Sequence, residues 1–190
     1  MLIAVYLFLG IFIDLFVSPF FLLVFKSPFL GAHLFTLIEF LLLSIYLFIH
    51  IYTEKKILLF GLGSFLFLSL FIYENFIITQ KNFDSISTGI SALIILIYSI
   101  YYLFHKINTP TGLINFDLSF LIIVSFIIYF SGTFFIYILS KNNLVDTNFQ
   151  QSYILINTLI LVLRNLIISF AFLQKIREQN LMQKENIKSK

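Results

Sequence analysis

Residues Leu118–Ser140 read LSFLIIVSFIIYFSGTFFIYILS, a stretch without a single charged side chain. A helix needs roughly 20 apolar residues to cross about 30 Å of hydrocarbon, and this stretch meets that length. A membrane strand is shorter, about 9 to 11 residues, and alternates between polar and apolar side chains. The stretch does not alternate in this way, so it predicts a transmembrane helix.

Five further stretches share this length and apolarity. Hydrophobic residues make up 60% of the chain and charged residues 11%, and the mean hydropathy is +1.02. These values exceed what a water-soluble surface tolerates, so we predict an all-α, polytopic transmembrane bundle with six spanning helices. The predicted spans are Leu2–Phe25, Gly31–Tyr52, Ile57–Thr79, Ile86–Phe104, Leu118–Ser140 and Ser152–Leu173.

The chain divides into a helical membrane domain, residues 1–173, and a basic tail, residues 174–190, predicted to extend the last helix. Lys and Arg in short loops usually mark the cytoplasmic side of a membrane. Most of these residues fall on one side if both termini are cytoplasmic, and the tail contributes most of them. We therefore predict a multi-pass membrane protein with both termini in the cytoplasm.

Four ionisable side chains are predicted to lie at membrane depth, where charge is costly and usually functional. From the proposed outer ends of the spans, Glu39 and Glu74 lie about 7 to 11 Å deep, with Asn157 at a similar level. Asp14 and Arg164 lie about 16 to 18 Å deep, near the midplane. These depths predict an outward-opening carboxylate pocket above an ion pair of Asp14 with Arg164.

Other interpretations of the same residues stay open. Arg164 has a long side chain that could reach Glu39 instead of Asp14, and either pair could serve only to hold helices together. Glu74 stands near a helix end and could simply contact water. His33 completes the predicted ligand-binding set, although a histidine at this boundary is more often an interfacial side chain than a ligand.

Helical spacing predicts which face of each span turns away from lipid. The predicted inward faces comprise Thr36, Glu39, Leu43, Tyr46 and His50 on the second span; Gly63 and Glu74 on the third; Ser85, Thr88, Ser91, Ala92, Ser99 and Tyr102 on the fourth; Ser125, Tyr129 and Gly132 on the fifth; and Asn157, Arg164 and Ala171 on the sixth. Small and hydroxylated residues let helices approach closely and hydrogen-bond across the contact. We expect these faces to converge on one polar interior.

Known catalytic and cofactor patterns do not occur in the sequence. It has no Cys, which excludes disulfides and thiolate metal sites, and it lacks a P-loop, a dinucleotide fingerprint, a GxSxG and an HExxH. His33, Glu39 and Glu74 form only a weak metal-ligand set, so no metal and no cofactor is predicted. The net charge of +3 comes mainly from the tail, which favours contact with anionic headgroups rather than nucleic acid.

Three segments carry a resemblance to a known family: HLFTLIEFLL (His33–Leu42), SFIIYFSGTFFIYILS (Ser125–Ser140) and ILINTLILVLRNLI (Ile154–Ile167). In these segments the chain resembles a family of small, uncharacterised bacterial integral membrane proteins with six or seven helices. The resemblance implies a bacterial inner-membrane protein with His33 and Glu39 in the shared pattern. Relatives with an extra leading helix would make the amino terminus cytoplasmic here. The resemblance implies no catalytic role.

Three classes of function remain open. A sensory or partner-binding membrane module would bind a small molecule, a lipid or a helix of another membrane protein in the polar interior, and the lack of enzyme motifs favours this class. A small-solute or proton-coupled transporter would use Asp14, Glu39 and Arg164 along its path, but inverted repeats are not visible. A membrane-embedded lipid-modifying enzyme would need the outer pocket to admit a headgroup.

Overall fold

The computed structural model describes residues 29–51, 54–74, 85–108, 118–143 and 147–188. Across these ranges the chain folds into five α-helices without a strand, in agreement with the predicted all-α class. In chain order they are α1 (Phe29–His50), α2 (Lys56–Ile72), α3 (Ser85–Asn108), α4 (Leu118–Asn143) and α5 (Thr147–Lys188).

Three of these helices contain segments long and apolar enough to cross a membrane, which suggests membrane insertion. The segments are Ile86–Asn108 of α3, Leu118–Phe135 of α4 and Leu155–Arg177 of α5. Shorter apolar segments lie in α1 (Leu34–His50) and α2 (Lys56–Ile72). The prediction of six spanning helices is therefore not confirmed, and its first span, Leu2–Phe25, lies outside the described residues.

The described helix ends differ from the predicted spans at two places. The third predicted span continues to Thr79, whereas α2 ends at Ile72, a π-helical turn follows at Tyr73 and Glu74, and residues 75–79 lie outside the described residues. Helix α4 continues to Asn143, beyond the predicted span end at Ser140, and α5 begins at Thr147, before the predicted span start at Ser152. Polar residues at these ends can stay helical, because a helix satisfies its backbone hydrogen bonds whether or not its side chains are apolar.

Helix α5 is much longer than a membrane is thick. Its 42 residues rise about 63 Å, about twice the thickness of a hydrocarbon core. The helix runs to Lys188, which confirms that the basic tail extends the last helix. Its final turns therefore extend beyond any membrane that its apolar segment crosses.

The helices run alternately up and down, with α3 in the centre. It packs against α1, α2 and α4, whereas α5 packs chiefly against α4. The rings of Phe48 in α1 and Phe60 in α2 meet edge to face, and the ring of Phe60 also contacts Tyr98 of α3. At the opposite end of these helices, Glu74 lies beside the first turn of α3. The end of the bundle that holds His50, Lys56 and Lys106 is called the basic end below.

Two glycines allow helices to approach closely. A Cβ atom on Gly132 of α4 would lie 2.5 Å from the Cδ1 of Ile160 in α5. A Cβ atom on Gly63 of α2 would overlap the hydroxyl of Tyr98, which donates a hydrogen bond to the carbonyl oxygen of Leu59 at 3.2 Å. Small residues at such contacts are typical of helices that pack within lipid.

Candidate functional site

The polar face of α1 is buried in the bundle. Thr36, Glu39, Leu43 and Tyr46 are each at most 6% exposed, which confirms the inward stripe predicted from their spacing. His50, at the end of this stripe, is half-buried, and its Nδ1 lies 2.8 Å from the carbonyl oxygen of Tyr46. The stripe thus places one carboxylate, that of Glu39, among buried side chains.

The hydroxyl face of α3 lies against this stripe. Thr88 and Ser91 are buried, as predicted, and so are Ala92, Ser99 and Tyr102. The Oγ1 atoms of Thr36 and Thr88 lie 3.4 Å apart, which joins α1 to α3 near Glu39. The hydroxyl of Ser91 donates a hydrogen bond to the carbonyl oxygen of Thr88 at 2.8 Å. Sequence reasoning missed two members of the buried face, Ser87 and Tyr98.

The guanidinium of Arg164 lies on an aromatic ring in the interior. Arg164 is 6% exposed, and its Cζ lies 4.4 Å from the ring centre of Tyr129 in α4. Its Nε donates a hydrogen bond to the Oδ1 of Asn165 at 3.3 Å. A planar guanidinium over an aromatic face is a cation–π contact, which strengthens when water is excluded. Sequence spacing predicted that both residues face inward but not that they stack.

The helix register places Glu39 about one helical turn from Arg164 in height. The ring of Tyr46 in α1 meets the ring of Phe126 in α4, with centres 6.0 Å apart. Seven residues along each antiparallel helix, about 10 Å from this contact, Glu39 reaches the level of Thr133. Arg164 contacts Tyr129, one turn nearer to the basic end. The two charged side chains therefore occupy neighbouring levels of one buried region, and each has an interaction partner.

The hydroxyl groups of α4 in this region are bonded to the helix itself. Ser125 donates to the carbonyl oxygen of Ile122 at 2.6 Å, and Thr133 donates to that of Tyr129 at 2.9 Å. Both side chains are at most 1% exposed. Because their protons are directed to backbone carbonyls, these hydroxyls keep lone pairs that can accept a hydrogen bond from a ligand. Thr133 was not among the predicted inward residues.

Glu74 has a structural role that sequence reasoning missed. Its two carboxylate oxygens accept hydrogen bonds from the backbone N–H groups of Ser87 at 2.7 Å and Ile86 at 3.3 Å. The first turn of α3 contains no acidic residue of its own. A carboxylate at that position satisfies unpaired N–H groups and interacts favourably with the helix dipole. Glu74 therefore caps α3, and a role in ligand binding remains a prediction.

The other predicted site residues are placed less fully. Asn157 is half-buried on α5, seven residues from Arg164 and thus about 10 Å farther from the basic end. His33 lies within α1, but its side chain is not among those described. Asp14 lies outside the described residues, and so does its predicted pairing with Arg164. The described part of the chain contains no group of three or more His, Asp or Glu side chains that could hold a metal ion.

The buried region contains both charged and hydrogen-bonding groups. A buried carboxylate, a buried guanidinium and several hydroxyl acceptors occupy adjacent levels of α1, α3, α4 and α5. A carboxylate accepts hydrogen bonds from amines, and a guanidinium binds carboxylate or phosphate groups.

Comparison of the chain with protein-family models, curated proteins and solved structures found no match.

Proposed function

We propose that the chain is a sensory or partner-binding module of a bacterial inner membrane, which binds a small ligand or a neighbouring helix in its polar interior. In this proposal six helices cross the membrane and both termini are cytoplasmic. Membership in the family of small bacterial integral membrane proteins is part of the same proposal. Helix α1 supports the larger number of crossings, because its 22 residues rise about 33 Å, slightly more than a hydrocarbon core.

The contrast between surface and interior supports a membrane protein. Many large apolar side chains are exposed, such as Ile57 at 74% and Phe65 at 73%, whereas Glu39 and Arg164 are 6% exposed. A protein in water would expose its charged groups and cover most of its apolar ones. Lipid reverses this preference, because acyl chains solvate Leu, Ile and Phe but not a carboxylate or a guanidinium.

The single observation that carries the proposed function is the burial of Glu39 and Arg164 at neighbouring levels. Ionisable groups within a membrane are expensive, and each is by default a candidate for a functional site. Glu39 and Arg164 also differ from the basic side chains near the helix ends, because those side chains can reach water whereas Glu39 and Arg164 are buried. We infer that the interior is built to recognise a group that carries charge or several hydrogen-bond donors.

Three of the buried hydroxyl groups favour binding over catalysis. A nucleophilic serine or threonine needs a base that accepts its proton. Ser91, Ser125 and Thr133 instead donate to carbonyl oxygens of their own helices. Such hydroxyls can line a binding site but are not activated for attack, so they support a binding module rather than a lipid-modifying enzyme.

A ligand screen in nanodiscs tests the proposal. The purified protein is heated with a panel of amines, amino acids and small carboxylates, and its melting temperature is recorded for the native chain and for Glu39→Gln. We expect at least one compound to raise the melting temperature of the native protein by about 5 °C at a hundredfold excess over its dissociation constant. Glu39→Gln should keep the unliganded melting temperature but lose most of this increase.

Glu54→Gln is the matched control, since Glu54 is exposed just before α2. This variant should keep the full ligand-dependent increase. If the melting temperature of unliganded Glu39→Gln falls by several degrees, Glu39 has a structural role. If neither the melting temperature nor its response to ligand changes, Glu39 is not part of a binding site. Uptake of the same compound into liposomes would show that the protein is a transporter rather than a binding module. Chemical conversion of the compound would show that it is an enzyme.

A further inference from the structure

The basic end of the bundle combines positive charge with aromatic and apolar surface. The Nζ of Lys106 lies 5.7 Å from the ring centre of Tyr102 and 5.9 Å from that of Phe120 at the start of α4. The Nζ of Lys56 lies 4.9 Å from the ring centre of Phe48. Among the side chains described at this end, Glu54 is acidic, and the basic ones are His50, Lys55, Lys56, His105, Lys106, Lys175 and Arg177.

A groove lies between α4 and α5 at this end. Its volume is about 680 Å³, within the range of roughly 300 to 1,000 Å³ that is typical of ligand sites. The described lining side chains are mostly apolar, and the two polar ones lie within one turn of each other on α5. These described lining residues are Leu121, Phe170, Leu173, Gln174 and Arg177.

Arg177 marks the depth of the groove. It is the last residue of the segment of α5 that is long and apolar enough to cross a membrane, so in a bilayer its guanidinium would be expected near the polar headgroups. Phe170 lies about 10 Å deeper along the helix and is 61% exposed. The groove therefore runs from the level of acyl chains to the level of headgroup phosphates.

We infer that this groove binds one anionic phospholipid of the leaflet at the basic end. Its phosphate contacts the guanidinium of Arg177 and the side-chain amide of Gln174, and an acyl chain lies along Leu121, Phe170 and Leu173. Arginine matches phosphate with two parallel hydrogen bonds, and basic pockets between membrane helices are suited to acidic headgroups. The inference requires membrane insertion but not the binding function proposed for Glu39 and Arg164.

Charge distinguishes this lipid from two other occupants. A second copy of the chain, related by a two-fold axis along the membrane normal, would bring its own Arg177 toward the first, and like charges repel. A zwitterionic lipid carries a positive group that would face the same basic end. An anionic lipid complements both the apolar walls and the positive mouth of the groove.

A single-tryptophan experiment tests the inference, because the natural chain contains no Trp. Phe170→Trp places the reporter at the groove, and Phe65→Trp places a matched reporter on the exposed face of α2. Each variant is titrated in neutral detergent with phosphatidylglycerol or phosphatidylcholine that carries brominated acyl chains, and quenching of fluorescence is measured. We expect an about tenfold preference for phosphatidylglycerol at Phe170→Trp, the size of one charge-assisted contact, and equal quenching at Phe65→Trp.

Second substitutions in the Phe170→Trp background identify the charge responsible. Arg177→Gln should abolish the preference for phosphatidylglycerol, and Lys175→Gln, at an exposed position outside the groove, should keep most of it. Equal loss in both variants would show only diffuse attraction to a basic surface and would overturn the inference. Equal quenching by both lipids at Phe170→Trp would also overturn it.

A label-free measurement covers the case in which Phe170→Trp does not fold. Native mass spectrometry of the natural chain and of Arg177→Gln, released from the same detergent with added phosphatidylglycerol, counts the bound lipids directly. We expect one retained lipid in the natural chain and its loss in Arg177→Gln. Equal retention by the two proteins would overturn the inference, as would a dimer of the natural chain that excludes the lipid.

Discussion

Helices α3 and α5 both contain an apolar segment long enough to cross a membrane, but they are held in the bundle in different ways. Half of the apolar segment of α3 is buried, compared with 17% of that of α5. Helix α3 packs against three other helices and buries a row of hydroxyl side chains. The described side chains that α5 buries are Arg164, Ile168 and Ala171.

The difference shows two ways to fix a helix in lipid. Acyl chains are as apolar as leucine, so burial of apolar surface does little to hold one membrane helix against another. Helix α3 gains its position from close packing on several sides, including the contact of Gly63 with Tyr98. Helix α5 instead packs along a single neighbour, α4, where Ile160 approaches Gly132 closely and Arg164 stacks on Tyr129.

The largest effect should come from filling the space between α2 and α3. In Gly63→Ala the new methyl group would overlap the hydroxyl of Tyr98 and lie 3.1 Å from the Cγ2 of Ile94. The ring must move, and its hydrogen bond to the carbonyl of Leu59 is lost. We expect the free energy of unfolding in detergent to fall by about 3 kcal/mol, measured by titration with sodium dodecyl sulfate.

Gly61 provides the control for this substitution. A Cβ atom there would meet nothing within 4 Å, so Gly61→Ala should be neutral or stabilise α2 by up to about 1 kcal/mol through helix propensity. Tyr98→Phe in the Gly63→Ala background removes the nearest overlapping atom and should recover part of the loss. A loss of equal size for both glycine variants would mean that α3 is not held by this contact.

The next largest effect should come from the stacking of α5 on α4. Arg164→Leu and Tyr129→Leu are made singly and together, and the unfolding free energies form a double-mutant cycle. A cation–π contact in a dry environment predicts a coupling energy of about 1.5 kcal/mol. Arg177→Leu, on the exposed part of the same helix, should show no coupling with Tyr129→Leu. A coupling near zero for Arg164 would leave the contact of Ile160 with Gly132 as the main constraint on α5.

Local spacing was sufficient to predict which face of most helices is buried. Thr88, Ser91 and Ser99 recur at helical intervals on α3, and a polar row in an apolar helix must turn away from lipid. The same spacing, together with the cost of charge in hydrocarbon, predicted that Glu39 and Arg164 face inward, and both are buried. Class and inward faces thus follow from periodicity and the cost of polar groups in hydrocarbon.

Contacts between distant residues could not be predicted in this way. Tyr98 was missed because its burial depends on Gly63 of another helix, and nothing near Tyr98 in the sequence marks that partner. The stacking of Arg164 on Tyr129 requires the register of α4 against α5, which periodicity within each helix does not specify. A glycine in an otherwise bulky apolar helix was the available signal for a close approach.

The cap that Glu74 forms on α3 could not be predicted from its position in the sequence. Its position near a helix end was consistent with simple contact with water, and its cap on α3 depends on how the chain turns between α2 and α3. The N–H groups that its carboxylate accepts from belong to the first turn of α3, and no spacing within α2 or α3 marks that contact. The cap holds the start of α3, whereas packing against neighbouring helices holds its middle.

Glu74→Gln should therefore produce the smallest of these effects, since the amide oxygen can still accept one of the two hydrogen bonds, although the NH₂ group cannot accept the other and the charge is lost. We expect a loss of about 1 kcal/mol in the free energy of unfolding, confined mainly to the first turn of α3. Amide hydrogen exchange at Ile86 and Ser87 should become about fivefold faster, while exchange in the middle of α3 stays unchanged. Glu54→Gln, at an exposed position, should leave both amides as they are. Uniformly faster exchange along α3 would mean that the cap supports the whole helix, and that its packing against three neighbours is weaker than its burial implies.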